Sequence, residues 1–572
     1  MRRGTATGHD GNYLSLPELS LEPQPASRSK ILAVWAMAAV AFAATLFAAA
    51  SNFSQVKDAK GRVFFVDADC YARMSRVREV CAHPGVVLRQ HDFENYPLGT
   101  VPHITVPLDY LTALLNDVFY RTGCRWPRDA AGVWISPLLG VATVAALLFC
   151  KVRGVDLGAW MMLAVFVASP IVAHGFAYGR PDHQSLELAS IALALAAEWA
   201  QWREPSRLWG LVAGGAWAVA LWTSLYEPLL LLALATLAGW LFGRERLLRP
   251  ERLPGLILAG LILLGALWCE GWRLGGVPGL GAGEGDFFRR WSQQIGELRS
   301  MPPWSPTLYH WTGWGLLLAP VVLALARGET RHLARAHLLL VAAVFALTCW
   351  QVRWGYFLPL IYAMSLPVQF AALPVRWRPV LAALVLAGMW PQAAEWWDRS
   401  HPSSEIAASR AEQREDMAAL REVAAYIKRD TVENGVDPSL RGVLAPWWLS
   451  PPLAYWSQQP AIAGSSHESL PGIVDVARFY LATDPRVAAR ILHERRARWV
   501  LAYEPSRVAA TAAPLLGQAA VPRRAMCALL YERPELAPTF LRLVLVNPVF
   551  KVYEVLPAAL PQPGTNEFLP PL

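Results

Sequence analysis

Charge is what this sequence has least of. Asp, Glu, Lys and Arg make up 17% of its 572 residues, against 54% hydrophobic ones, where a soluble domain carries about a quarter charged. That shortfall excludes an ordinary soluble enzyme and fits a polytopic membrane protein, long enough for a helical bundle plus at least one soluble domain. Cysteine is scarce too. Of the seven, Cys70, Cys81 and Cys124 fall in the first large loop and most others in apolar segments, with no spacing that suits zinc. A disulfide among those three is compatible with an extracytoplasmic loop. Also missing is any basic cluster interleaved with aromatics, so the net charge of +8 does not point to nucleic acid.

What is present in quantity is apolar runs. Stretches of spanning length lie near 31–50, 132–150, 157–173, 185–200, 208–225, 227–243, 253–271, 312–326, 336–350, 355–373 and 379–391, giving about eleven transmembrane helices. The first lies too far in, and is too long, for a simple signal peptide, and the polar stretch 1–30 before it reads as a disordered cytoplasmic tail. Segment 107–123, "PLDYLTALLNDVFYRTG", reads as an amphipathic interfacial helix rather than a span.

The arginines fix the sidedness. With the N-terminus inside, the short inner loops hold Lys151, Arg153, Arg203, Arg207, Arg244, Arg246, Arg249, Arg252, Arg327, Arg331, Arg335, Arg376 and Arg378, while the short outer loops hold only Arg180 and Arg353. This is the positive-inside pattern. It makes those two arginines exceptions and hence candidates for function. The expected organisation is a transmembrane domain over 31–391, with large outer loops 51–131 and 272–311, followed by an extracytoplasmic mixed α/β domain over 392–572. In the latter, "AEQREDMAALREVAAYIKRD" has helical spacing, and "ARWVLAYEP" and "VFKVYEVLP" read as strands. The expected location is a bacterial inner or plasma membrane.

Four clusters stand in the outer loops: "FFVDADCYARMSRVREV" (64–80) with Asp67 and Asp69; "AHGFAYGRPDHQSLELA" (173–189) with Arg180, Asp182 and His183; "WSQQIGELRSM" (291–301) with Glu297; and "WQVRWGYFLPL" (350–360) with Arg353. Three carboxylate-bearing loops at one membrane face suit a hard divalent cation, Mg²⁺ or Mn²⁺, and a nearby arginine supplies a fork of donors for phosphate. Each residue also has a plainer reading. Asp67 and Asp69 could be ordinary loop carboxylates, Asp182 a helix cap, Glu297 a surface ion-pair partner of nearby arginines, and Arg353 an interfacial snorkel. The loop 91–111 reads as a Pro-rich structural segment, and His91 and His103 as structural residues within it.

The layout resembles the catalytic subunit of oligosaccharyltransferase and, more broadly, the GT-C membrane glycosyltransferases that use polyprenyl-linked donors. "DCY" at Asp69–Tyr71 is similar to that family's Asp-aromatic pair in the first outer loop, "GRPDHQ" to its Gly-x-x-Asp-x-Asp/Glu pattern at Gly179 and Asp182, "QIGE" to its Ile-x-Glu motif at Ile295 and Glu297, and Arg353 to its donor-binding arginine. The chain departs at two positions. Gln184 replaces the second carboxylate, and in "LAPWWLSPPLAYW" Leu449 replaces the Asp of a Trp-Trp-Asp motif that recognises the hydroxyl residue of the acceptor sequon.

The resemblance implies transfer of a sugar or oligosaccharide from a polyprenyl (di)phosphate to an extracytoplasmic protein or glycan acceptor, within the lipid bilayer. Asp69, Asp182 and Glu297 would be catalytic and, with His183, hold Mg or Mn. Arg353 and Arg180 would bind donor phosphate, and Trp447 and Trp448 the acceptor. A GT-C enzyme moving one sugar onto a lipid or glycan is the alternative. A transporter or flippase is disfavoured, because few charged residues are evident within the spans (Glu198 and Glu270 lie near ends) and no repeat is apparent.

Overall fold

The structure, a computed structural model, describes residues 28–103, 105–149, 156–272, 285–435, 437 and 440–560. The expected tail before residue 28, Lys151 and Arg153, and positions 273–284 of the second large loop lie outside the described residues. Every apolar stretch named above falls on helix: Arg28–Ala49, Pro127–Phe149, Leu157–Ala168 with Pro170–Gly175, His183–Arg203, Arg207–Thr223, Tyr226–Leu247, Leu253–Cys269, Trp314–Leu318 with Ala319–Ala324, Arg331–Trp350, Phe357–Ala372 and Arg378–Gly388. In hydrocarbon, each backbone polar group must be satisfied within its own segment, which selects helix. Among the described residues, six helical segments are long and apolar enough to cross a membrane, and Leu157–Ala168 and Trp314–Ala324 are shorter apolar helices.

Two features hold the bundle. Phe357–Ala372 runs through its middle with almost every residue buried. Arg207–Thr223 and Leu253–Cys269 touch backbone to backbone, since a Cβ on Gly255 would sit 1.9 Å from the Gly210 carbonyl oxygen. Small residues at such crossings are how helices associate without a hydrophobic drive between them.

At one end of the bundle the four loop clusters converge. Val66 N donates to the Gly179 carbonyl at 3.0 Å, Val352 N to the Arg299 carbonyl at 2.9 Å and Met301 N to the Cys349 carbonyl at 2.9 Å. In the first loop, helix Ala68–Ala82 packs on helix Pro107–Arg121. They are joined by a fully buried ion triad, Arg73 Nη1 to Asp109 Oδ1 and Arg76 Nη2 to Asp109 Oδ2, both 2.7 Å. The opposite face of Pro107–Arg121 exposes Leu111, Leu114 and Val118, as the amphipathic pattern requires. Cys70, Cys81 and Cys124 are all free thiols.

The C-terminal part has its own core around Phe479, Tyr480, Trp499, Phe550 and Tyr553. The expected amphipathic helix lies within Ser404–Asn434, and the two expected strands are β2 (Ala497–Ala502) and β4 (Lys551–Val555). Two more strands, β1 (Gly442–Leu444) and β3 (Leu541–Val546), complete a sheet of order β1-β2-β4-β3. β1 is parallel to β2, and β4 is antiparallel to both its neighbours. β1 is too short to carry a periodic signal, and its three residues are buried. This core also takes in Phe287, Phe288 and Trp291 of the second large loop. Helix Ser450–Ser457 docks it onto the first loop, where Tyr455 Oη donates to Asp129 at 2.6 Å and Trp456 packs edge-on to Tyr71.

Candidate functional site

The site is built from two helix starts and two loops. Asp67 opens helix Ala68–Ala82 as its N-cap, accepting from Cys70 N at 2.9 Å. Asp69 follows in the first turn, where the positive end of the helix favours a carboxylate. Opposite stands the turn before His183–Arg203. Gly179 has φ +69°, and a Cβ there would lie 2.7 Å from a Val56 methyl. Only glycine satisfies both the left-handed backbone and the close approach. Its carbonyl takes the Val66 amide, tying this turn to the start of the first helix.

The turn lifts Arg180 into the centre. Its guanidinium is buried, 3.0 Å from Asp182 Oδ2 and 3.7 Å from both Asp67 Oδ2 and Glu297 Oε1. It lies over the Tyr356 ring at 5.6 Å and donates to Gln184 Oε1 at 2.7 Å. Its Nη1 is buried without a hydrogen-bond partner. Asp182 occupies the N-cap position, yet its side chain makes no capping hydrogen bond. The carboxylate instead meets His183 Nδ1 at 2.6 Å. Burial alone would raise its pKa, but the charges of His183 and Arg180 outweigh this and hold it well below the usual carboxylate range.

Asp69 shows the opposite shift. It is exposed to solvent, yet the protein around it, followed by the charges of Asp67 and Asp182 and more weakly Glu297, raises its carboxyl above the usual range despite the Ser465 hydroxyl beside it. Three carboxylates thus face one guanidinium, with Asp69 a further acidic neighbour of all three, an imbalance that a divalent cation would relieve. Oxygen donors with one imidazole are a chemically suitable donor set for such an ion. The carboxylates are spread around Arg180 rather than gathered. Among the described residues, the group of three whose ligand atoms lie within 4.8 Å of one another is elsewhere, at His103, His467 and Glu468.

Gln184, at the position of the family's second carboxylate, is used as a bridge. Its amide donates to both Glu297 oxygens at 3.1 and 3.0 Å while its oxygen takes the Arg180 proton. Glu297 also accepts from Tyr356 Oη at 3.4 Å, and Tyr356 Oη lies 3.0 Å from His174 Nδ1. Tyr356, one of several aromatics beside Arg353, and His174, a lone histidine near the end of an apolar run, carry no distinctive signal in the sequence.

Arg353 lies at the edge of this cluster. It pairs with Glu227, lies over the Tyr226 ring at 5.5 Å, and has Glu187 and Glu297 as further charge neighbours. Glu187 and Glu227 are both buried, near the ends of apolar helices. The expectation of few charges within the spans therefore needs correcting. Two acidic residues in apolar helices were the available signal.

Trp447 and Trp448 stand edge to face, 5.8 Å apart. They line a small recess in the C-terminal domain with Ile473, Tyr480 and Val508. Leu449 points into that domain's core, and the Ser450 hydroxyl is spent on the Ala445 and Pro446 carbonyls at 3.0 and 3.2 Å. The position where the related motif carries Asp is interior in this chain.

No family model and no curated protein matches the sequence. Solved structures do. The chain is similar to the oligosaccharyltransferase of Archaeoglobus fulgidus solved with Zn and sulfate, with TM-score 0.66 and 13% identity over 89% of this chain and 78% of that one. It is similar to AglB of the same organism in complex with an inhibitory peptide and a dolichol-phosphate, with TM-score 0.59 and 12% identity over 82% and 69%. It is also similar to ArnT from Cupriavidus metallidurans bound to undecaprenyl phosphate, with TM-score 0.52 and 13% identity over 91% and 97%. The fold is that of the GT-C membrane glycosyltransferases.

Proposed function

We propose that this chain is a membrane glycosyltransferase that transfers a sugar or oligosaccharide from a polyprenyl phosphate or diphosphate to an acceptor on the outer side of a bacterial inner membrane. The observation that carries the proposal is the buried Arg180 guanidinium, ringed by Asp67, Asp182 and Glu297 and keeping an unpartnered Nη1 proton. A donor phosphate oxygen is the natural partner for that proton. Arg353, whose Nε is likewise buried and unpartnered, would take a second phosphate oxygen. The apolar face of Tyr226–Leu247, with Leu229, Leu237 and Trp240 exposed, would receive the prenyl chain.

Asp69, Asp182 and Glu297 would hold Mg²⁺ or Mn²⁺, with His183 offering Nε2 once its Nδ1 proton is donated to Asp182. A cation held there neutralises the charge that develops on the leaving phosphate. Asp69 would accept the acceptor's proton or orient it by hydrogen bonding. Trp447 and Trp448 would contact the acceptor, which is a protein in the oligosaccharyltransferase-like reading.

A second reading, transfer of one sugar to a lipid or glycan, is favoured by the interior placement of Leu449, which leaves no carboxylate for a sequon hydroxyl. The test offers purified protein a labelled polyprenyl-diphosphate oligosaccharide or a polyprenyl-phosphate sugar. The acceptors are peptides with and without sequons, or a glycolipid, each with Mn²⁺ or EDTA and beside Asp69→Ala and Asp182→Ala. Cation-dependent transfer lost in both variants supports the proposal, and the acceptor labelled decides between the readings. Binding of donor without transfer to any acceptor would sink it.

A further inference from the structure

A cluster of metal-ligating side chains lies apart from the site just described, where the first loop meets the C-terminal domain. Glu468, in the turn His467–Ser469 that starts helix Leu470–Leu481, reaches across to residue 103. Its Oε1 accepts from the His103 backbone N at 2.6 Å and lies 2.5 Å from His103 Nδ1. Its other oxygen, Oε2, is buried with no hydrogen-bond partner, 3.6 Å from His467 Nδ1. The two imidazoles stand 4.8 Å apart, centroid to centroid, and Phe288 packs edge-on against His467 at 6.3 Å.

We infer that His103, His467 and Glu468 form a zinc site that pins the first loop to the C-terminal domain. Two imidazoles and one carboxylate are a donor set for Zn²⁺ rather than for Mg²⁺ or Ca²⁺, which take oxygen. The spacing suits it. All the ligand atoms lie within 4.8 Å of one another, and tetrahedral ligands at about 2.0–2.1 Å from zinc sit roughly 3.4 Å apart. Oε2 and His467 Nδ1, 3.6 Å apart, already have that separation, and His103 Nδ1 would exchange its hydrogen bond to Oε1 for the metal, giving up its proton as it binds. Glu468 is well prepared, one oxygen fixed by a backbone amide and the other free.

The side chains' exposures (37% for His103, 21% for His467, 13% for Glu468) leave a solvent-facing fourth position and a path for the ion. The ligands come from segments more than three hundred residues apart in sequence, so a bound ion stabilises only the docked arrangement. Two residues before His467, the Ser465 hydroxyl stands beside Asp69. Zinc therefore fixes a loop that faces the candidate catalytic carboxylate, and its role is positional.

The test uses the full chain in detergent, stripped with chelator and titrated with Zn²⁺ against a chromophoric chelator. The parent is compared with His103→Ala, His467→Ala and an Asp69→Asn/Asp182→Asn variant that disables the other site. One tight equivalent is expected in the parent and in the Asp double variant, with at least about tenfold weaker binding in each His variant. Zinc should raise the melting temperature of the parent and not that of the His variants, each compared with its own metal-free state. His103→Cys covers the case in which alanine fails to fold. It should retain zinc and add sulfur to the zinc X-ray absorption shell. No tight zinc in the parent, zinc retained at full affinity by the His→Ala variants, or zinc lost only in the Asp double variant would each overturn the site and leave a metal-free His–Glu hydrogen bond in its place. None of these outcomes depends on transfer activity.

Discussion

The Asp182 carboxylate stands 2.6 Å from Nδ1 of His183, the first residue of the helix it precedes, and makes no hydrogen bond to that helix's backbone. An N-cap works by accepting from the amide two or three residues on, as Asp67 does for Cys70. Asp182 has the cap's position without the cap's chemistry. Asp182→Asn is therefore expected to lower transfer by about a hundredfold or more, as for loss of a charge-stabilising group, and Asp182→Ser, which can cap a helix but carries no charge, should be no more active. Activity restored by Ser would return Asp182 to a capping role.

The first loop's buried ion triad makes a prediction independent of function. Asp109→Asn leaves Arg73 and Arg76 buried with no counter-charge, and breaking such a group by removing one partner costs about 3–5 kcal/mol. Chemical unfolding in detergent should show that loss. Replacing all three residues by apolar ones of like volume should recover much of it.

Gly179→Ala brings two separate penalties, a left-handed backbone and a contact at 2.7 Å with Val56. A destabilisation of roughly 1–3 kcal/mol is expected. Adding Val56→Ala should relieve the contact and leave the backbone strain. If the second change restored full stability, the backbone part of this account would be wrong.

Gln184→Glu replaces the donor that bridges to both oxygens of Glu297 with a fifth carboxylate. Repulsion should lower activity at low cation concentration. Extra Mn²⁺ should restore it, with steeper dependence than in the parent, because a cation gains most where charge crowding is worst. Activity indifferent to Mn²⁺ in both proteins would count against a cation at this site.

His91 gives a pH signature. Its ring stacks on Phe93 at 3.7 Å and is buried, and this burial, with Arg76 nearby, lowers its pKa to about 3, against about 6.5 unfolded. Between those values the unfolded chain binds the extra proton. The stability this group contributes is therefore complete above about pH 6.5 and lost as pH falls toward 3, by at most about 1.4 kcal/mol per unit. His91→Phe should flatten that part of the stability profile measured by thermal melts across pH.

Sequence alone carried the bundle. Leucine- and alanine-rich runs of spanning length must become helices in a bilayer, so each run fell on helix, and the arginine asymmetry put on one expected side the four loops that the fold brings to one end. Arg180 could be named because it breaks the positive-inside pattern, and Asp69, Asp182 and Glu297 because the short motifs that carry them resemble those of a known family. What sequence could not determine was pairing. Whether Gln184 replaced a ligand or bridged Arg180 to Glu297, whether Asp182 capped or coordinated, and that Arg353 would meet Glu227 from another helix all depend on side chains one to three ångströms apart from segments far apart in the chain. His103 and Glu468 are the extreme case, 365 positions apart. Each reads as an ordinary loop residue until tertiary packing closes the distance, because metal and phosphate chemistry acts at contact range and local sequence does not encode distance between remote segments.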